Sequence, residues 1–375
     1  MKVAVLGAGG TIAPAIVRDL AESDEVTNLV ALDLDVERAL AVAEAHGGYK
    51  AFAREVDARE GLGEVLEGWD VLVNSASYRI NLDAMRACLW AGCHYVDLGG
   101  LYHVTAQQLE LHEEFEKAGL LALLGMGSSP GKTNVMAVRA VRELGGVPQR
   151  VDVVAAGRDL DPPDGASYPY AVRTLLDELT MPPMLVRDGE ALDMEPLTPG
   201  GEVSLPEPIG EASTIYTLHS EVLTFPESFG CRACCFRLSL APALLERLRA
   251  LTGAPEAEVE RAARDALPPS ARTVSVHVVE AGAEQSASSG RASAASSFSP
   301  GVRVTAVTEP MERWGLGGGI VSTAAPAAAA VRLLARGEIT ATGALPPERC
   351  VDRNDLFPEL ERRNCTFHTE VNVIR

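Results

Sequence analysis

The stretch KVAVLGAGGTIA, residues 2–13, decides the fold. Its first six residues are a short β-branched and apolar run, the mark of a strand buried on both faces. The run ends in a glycine turn that opens a helix predicted over 11–22. Gly7 and Gly9 occupy the first two positions of a GxGxxG pattern. Gly7 permits the tight turn, and Gly9 lets backbone approach a pyrophosphate lying on the helix N-terminus. Gly10, Thr11 and Ile12 complete this candidate phosphate loop. Ile12 stands where the third glycine belongs, with Ala13 after it, so the helix is expected slightly further from the strand.

Outward from this turn, strands read at 26–33, 50–57, 68–76, 94–98 and 120–125. Helices read at 36–47, 81–92 and 105–118. Strands alternating with helices predict βαβ units and a parallel sheet, an α/β doubly wound Rossmann fold. From about 131 the pattern changes. A strand at 150–158, a helix at 169–180 and helices at 242–252 and 255–266 precede a pair of antiparallel strands at 274–279 and 302–307. The last two helices are expected to pack on one face of that sheet. The Ser/Ala/Gly-rich segment 282–301 between the strands reads as a mobile loop. A Gly-rich turn into an Ala-rich helix, 315–339, is expected to return to the first domain. The organisation predicted is therefore a dinucleotide-binding domain, 1–130 plus about 320–375, and an α+β substrate-binding and dimerisation domain, 131–319, with a mixed or antiparallel sheet.

Composition narrows the function. The 375 residues carry 33 Lys and Arg against 52 Asp and Glu, a formal net charge of −19. That argues against nucleic acid and anionic membrane as partners, since both need a basic surface. No apolar run is long and unbroken enough to read as a membrane span, and the N-terminus reads as a strand rather than a signal peptide, so the cytoplasm is the expected location. Seven scattered cysteines predict reduced thiols. Cys231, Cys234 and Cys235 lack a second cysteine pair or histidine pair, so no metal is expected.

Asp33 ends the second strand, 24 residues after Gly9. A carboxylate there accepts from ribose hydroxyls and repels a 2′-phosphate, which predicts NAD over NADP. Asp35 is placed to cap the following helix. Asp57, at the end of the third strand, is positioned for the adenine amine. Asn74, Ala76 and Ser77 end the fourth strand, where the switch point of such a sheet passes beside the cofactor.

Three further segments carry a family likeness: NSASY (74–78), AGCHYVDLGG (91–100) and GMGSSPGKTN (125–134). With the glycine turn and the tail GALPPE (343–348), they resemble the saccharopine dehydrogenase-like family, and within it the L-lysine 6-dehydrogenase branch. The resemblance implies a pyridine-nucleotide oxidoreductase acting at a C–N bond of an amino acid. The implied reaction is oxidative deamination of L-lysine at its ε-amine. Two alternatives stay open: a reductive condensing dehydrogenase of the saccharopine or carboxyspermidine type, and an NAD-binding redox sensor without turnover. Saccharopine-forming members have an acid just before the Pro-Gly; here it is Ser129, which favours a simple amine.

Amine oxidation needs a proton acceptor near the nicotinamide. Tyr78 is expected to face it, Asp97 to hold the ammonium group or act as base at the end of the fifth strand, and His219 to accept the proton. Asn134, Tyr168, Arg173 and Glu221 are the candidate substrate contacts, Arg173 for a carboxylate. Lys132 is expected as an exposed first-turn lysine, and His94 as structural. A homodimer is expected through an open face of the middle sheet.

Overall fold

The computed structural model describes residues 1–283 and 301–372. The chain opens with β1 (Lys2–Leu6), α1 (Ala13–Ala21), β2 (Asn28–Asp33), α2 (Val36–His46), β3 (Ala51–Glu55), α3 (Leu62–Leu66), β4 (Val71–Asn74), α4 (Asn81–Ala91), β5 (His94–Asp97), α5 (Leu101–Leu109), α6 (His112–Lys117) and β6 (Leu121–Leu123). The helix read over 105–118 is thus two helices. Local chemistry sets the boundaries. The Asp35 carboxylate accepts from the Arg38 N–H at 3.2 Å and starts α2, while α4 stops at Gly92, whose φ of +73° suits glycine.

Next come α7 (Lys132–Leu144), β7 (Arg150–Asp159), α8 (Val172–Thr180), β8 (Met184–Arg187), β9 (Glu190–Asp193), β10 (Pro199–Ser204), β11 (Glu211–Tyr216), α9 (Glu221–Phe229), β12 (Ala233–Ser239), α10 (Pro242–Leu251), α11 (Glu256–Arg264), β13 (Thr273–Gly282) and β14 (Gly301–Thr308). The tail holds α12 (Gly318–Ala335), β15 (Gly343–Leu345), α13 (Pro347–Cys350), α14 (Arg353–Glu361) and β16 (Cys365–Asn372). The expectation of a mobile loop over 282–301 falls on residues 284–300, outside those described.

The first sheet has the order β15-β6-β5-β4-β1-β2-β3, parallel throughout. The strand order reverses between β1 and β4, so a crevice opens at the carboxyl ends of those two strands. The second sheet is mixed, in the order β10-β11-β12-β7-β13-β14-β16, with β12 and β7 parallel and the other pairs along that path antiparallel. The tail divides between the two sheets: β15 extends the first, and β16 pairs with β14 at the edge of the second.

One apolar cluster runs from Val3 and Val5 of β1, through α1, α7 and α12, to Val153 of β7 and Val304 of β14. Helix α12 has the length and apolar composition to cross a bilayer, yet it is mostly buried, as the core helix between the sheets. The other face of the second sheet, expected to be open, packs Val154, Ala156, Val274, Val276 and Val278 beneath Val203, Leu205, Ile209 and Ala212. Helices α10 and α11 join α8 in a cluster of their own around Leu175 and Leu248, rather than lying flat on the sheet.

Candidate active site

A cavity of about 960 Å³ runs from the switch point of the first sheet to β7, β13 and α8 of the second domain. At one end it is walled by the glycine turn. Gly7 has φ +76°, and a Cβ there would lie 2.7 Å from the backbone of Ala76. Its N–H donates to Leu32 O at 2.8 Å, which pins the turn to β2. Helix α1 starts without a side-chain cap, so no side chain takes its first N–H groups. Thr11 and Ile12 reach the same wall. Close packing of helix on strand is met by Ala13, fully buried one position after the expected glycine. This glycine-lined, uncapped cradle fits a pyrophosphate.

Asp33 stands on the wall beside it. Its Oδ2 accepts from the Gly9 N–H at 2.8 Å and its Oδ1 from the Asp35 N–H at 3.0 Å. Each oxygen keeps a free lone-pair direction for a ribose hydroxyl. Arg38 and Arg59 line the same stretch, and the Arg38 guanidinium donates to the Gly9 carbonyl. Asp57 is on the wall and accepts from the Arg59 N–H at 2.9 Å. Ala76 and Ser77 line it too. Asn74 does not: it is buried beneath the loop, where its Oδ1 accepts from the Ala76 N–H at 3.1 Å and its amide donates to Asn81 at 2.9 Å.

The structure separates the three candidate catalytic side chains. Tyr78 reaches the wall, but its hydroxyl donates to Asp177 of α8 at 2.7 Å, and Arg79 pairs with the same carboxylate. Burial and that carboxylate push the phenol up to about 12, so it is a tie between the domains rather than an acid near neutrality. Asp97 is fully buried away from the cavity. It accepts from Gln108 at 2.6 Å, from the N–H groups of Gly99 at 2.9 Å and Gly125 at 2.6 Å, from the Tyr95 hydroxyl at 3.0 Å and from Asn81 at 3.1 Å. With five donors it organises the loops after β5 and β6. His219 is the candidate that lies on the wall with both ring nitrogens lacking a hydrogen-bond partner.

His219 follows β11 and is 6% exposed, stacked on Phe236 with ring centroids 3.5 Å apart. Two carboxylates flank it. Nε2 is 4.0 Å from Glu178 Oε2, and Nδ1 is 3.8 Å from Glu221 Oε2. Neither approach is a hydrogen bond. Burial drives all three groups toward neutrality: His219 down to about 3, Glu178 up to about 8 and Glu221 up to about 7. Burial therefore disfavours an ion pair between His219 and either carboxylate in the free protein. Glu178 is on the cavity wall and accepts from the Tyr170 hydroxyl at 2.6 Å. Glu221 lies behind His219, its Oε1 accepting from Thr133 at 2.8 Å and from Ser129 at 3.0 Å. Ser129 replaces the acid expected before Pro130-Gly131, and its hydroxyl is bonded to a carboxylate delivered from α9 instead.

The other candidates scatter. Arg173 lines the cavity with its guanidinium paired to Glu256. Tyr168 is buried in the helical cluster around Leu175. Asn134 caps α7, accepting from the Gly131 N–H at 2.7 Å and donating to Glu348 of the tail motif at 2.8 Å. Lys132 is not exposed: it is 1% exposed and donates to Ser322 at 2.6 Å and Thr308 at 3.2 Å. His94 accepts from the Leu121 N–H at 3.0 Å, a structural bond. All seven cysteines are free thiols, and among the described residues no three His, Cys, Asp or Glu side chains gather as metal ligands.

Sequence reasoning missed Glu178. Its signal was helical spacing: it stands three residues after Leu175, on the buried face of α8.

Residues 3–123 match the family described as the saccharopine dehydrogenase NADP binding domain. That match spans β1 to β6, the dinucleotide-binding part of this chain. Such a domain takes a nicotinamide dinucleotide, which is what the glycine cradle fits. Among curated proteins, carboxyaminopropylagmatine dehydrogenase of Synechocystis sp. is 24% identical over 268 residues, 67% of this chain and 65% of that protein. Carboxynorspermidine synthase of Vibrio alginolyticus is 28% identical over 95 residues, 23% of each. The aligned part is thus under two thirds of either relative. Among solved structures, apo saccharopine dehydrogenase (L-Glu forming) of Saccharomyces cerevisiae has a TM-score of 0.70 at 15% identity, covering 99% of this chain and all of that one. The two share the fold over their whole length.

Proposed function

We propose that this protein is an NAD-dependent dehydrogenase acting on the C–N bond of a carboxylated amine, a cytoplasmic enzyme with a small-molecule substrate that works as a homodimer. One observation carries the reading: a single cavity joins the glycine cradle to a buried histidine with no hydrogen-bond partner. Both curated relatives have carboxylated polyamine-type compounds in their names, which supports a secondary amine. The argument for a simple amine from Ser129 weakens, because Glu221 supplies a carboxylate at that point. Deamination of L-lysine at the ε-amine is the second reading, supported by the likeness of the 97–100 and 109–113 segments to that branch.

When bound, the nicotinamide supplies the two-electron exchange at carbon. The chain does the rest. The α1 N-terminus and the glycine turn hold the pyrophosphate, Asp33 accepts from the ribose, and Ser77 and the Ser128-Ser129-Pro130 turn line the wall beyond. His219 is the proton acceptor: it lies on the cavity wall with neither ring nitrogen engaged in a hydrogen bond. The tie from Tyr78 to Asp177 holds the two domains around the cavity.

The test is formation of reduced dinucleotide by the purified protein from NAD or NADP. The panel is L-lysine, saccharopine and carboxylated polyamines, with light scattering for the oligomer. Turnover on a carboxylated secondary amine with NAD is the expected result. Turnover on L-lysine alone favours the second reading. Saturable NAD binding with no turnover on any member removes the enzyme reading.

A further inference from the structure

We infer that Glu178, with His219 and Glu221 behind it, forms a subsite for a substrate ammonium group, and that Glu178 carries the negative charge that group pairs with. The inference rests on the C–N dehydrogenase reading and names the part of the cavity that holds the nitrogen.

Position comes first. The acids on the cavity wall are Asp33, Asp57, Asp159 and Glu178. Asp33 and Asp57 belong to the dinucleotide end. Asp159 already accepts from the Ser270 N–H at 2.9 Å and pairs with its hydroxyl. Glu178 is the acid beside His219. Its companion Glu221 is hydrogen-bonded to Ser129, which shares the wall with the cofactor side, so the cluster adjoins the place where a reacting carbon must sit.

Unsatisfied chemistry comes second. His219 Nδ1, His219 Nε2 and Glu221 Oε2 are all buried without a hydrogen-bond partner. Buried polar atoms left this way are rare and costly, and three in one cluster on a cavity point to a ligand that completes them. The distances of 3.8 and 4.0 Å are too long for hydrogen bonds, so the imidazole and the two carboxylates do not satisfy one another, and Glu178 and His219 present themselves to a ligand from the cavity wall. An ammonium group brings three donors and a positive charge, and it suits acceptors at carboxylate and imidazole.

The groups facing Glu178 are Tyr170 from the preceding loop, Asp177 on its own helix with its partner Arg79, and His219 and Glu221 from the β11–α9 region. His277 of β13 and, behind it, Lys132 face the His219 side. No arginine or lysine pairs with Glu178 among the described residues, so an incoming cation meets no built-in competitor. Because Glu178 rests protonated near neutrality, pairing with an ammonium ion sends its proton to solvent. The carboxylate then holds the nitrogen beside His219, which takes its proton when the amine must become neutral.

The experiment is calorimetric binding of L-lysine, agmatine and norspermidine to the NADH-loaded protein at pH 7, each in two buffers of different ionisation enthalpy. Expected is release of about one proton per amine bound by wild type. Glu178→Gln keeps an acceptor for Tyr170; it should abolish that release and weaken binding roughly thirtyfold or more. Glu221→Gln should give a smaller loss. Unchanged NADH affinity in both variants shows that the fold is intact. If any probe binds without proton release, or binds Glu178→Gln as it binds wild type, the subsite is wrong while the dehydrogenase reading stands. If NADH binds but no ammonium probe does, the subsite is overturned, and turnover on the panel decides the reading separately.

Discussion

Asp33 and Glu178 show two ways a carboxylate can be used in one cavity. Asp33 is exposed to the dinucleotide end and hydrogen-bonded to backbone, so it stays ready for a ribose. Asp33→Ala should weaken NAD binding roughly tenfold and narrow the gap to NADP, with Arg38 and Arg59 left to meet a 2′-phosphate. Fluorescence titration with both reduced dinucleotides checks this; an unchanged ratio would show that Asp33 does not read the ribose. Glu178 is held protonated by burial, its folded value about 8 against an ordinary 4.5. The folded state therefore binds a proton that the unfolded state has lost, and stability falls as pH rises from about 4.5 through 8. Glu178→Gln should raise the melting temperature relative to wild type, by an increment that grows between pH 5 and pH 8. A difference that stays flat with pH would mean the acid is ionised in the fold. The place of Asp33 on the cavity wall was legible because it depends on position in a βαβ unit. Glu178 was not, because an acid on a short helix reads as solvent-facing until the partner of that face is known.

At the scale of elements, the glycine turn is the clearest case of sequence dictating geometry. Gly7→Ala would place a methyl group 2.7 Å from Ala76 backbone at a φ of +76°. The left-handed backbone costs about 1–2 kcal/mol, and the clash must also widen the β1–β4 crevice. The variant should lose stability by at least that amount in urea and lose most of its dinucleotide affinity. Full affinity at wild-type stability would contradict the packing. The six strands of the first 125 residues and helices α1, α2 and α4 were readable as apolar or amphipathic runs; α3, five residues long, and the break between α5 and α6 were too short to show a period. The middle was harder. β9 and β10 have no buried residue, and β8, though mostly buried, is only four residues long, so none of the three shows a period. Asp97 misled because the carboxyl end of a parallel strand is both where ligands bind and where loops need an acceptor; here five donors from the loops and helices around it take the carboxylate.

At the scale of the molecule, the two sheets are joined by α12 and by charges buried with it. Arg332 of α12 pairs with Asp19 of α1 and Glu359 of α14, each at 2.8 Å, and Arg363 pairs with the same acids at 2.6 and 2.9 Å. Arg332→Ala leaves two buried carboxylates with one fewer partner and should cost about 3 kcal/mol in urea unfolding. A loss under about 1 kcal/mol would mean that Arg363, with Arg336 at 3.2 Å from Glu359, suffices. This network was invisible in sequence, since Asp19 lies more than 300 residues from the two arginines it pairs with. So was the covering of the second sheet's outer face by residues 203–212. The cavity between the domains carries the proposed activity, and a tracer measures it directly. Wild-type protein is given NAD and a carboxylated secondary amine deuterated at the carbons bearing nitrogen, and the reduced dinucleotide is weighed by mass spectrometry. One deuterium per reduced dinucleotide is expected, with the yield falling roughly a hundredfold or more in His219→Asn. Reduced dinucleotide without deuterium, or none at all from a protein saturated with NAD and amine, would contradict a cavity that sets nicotinamide and C–N bond side by side.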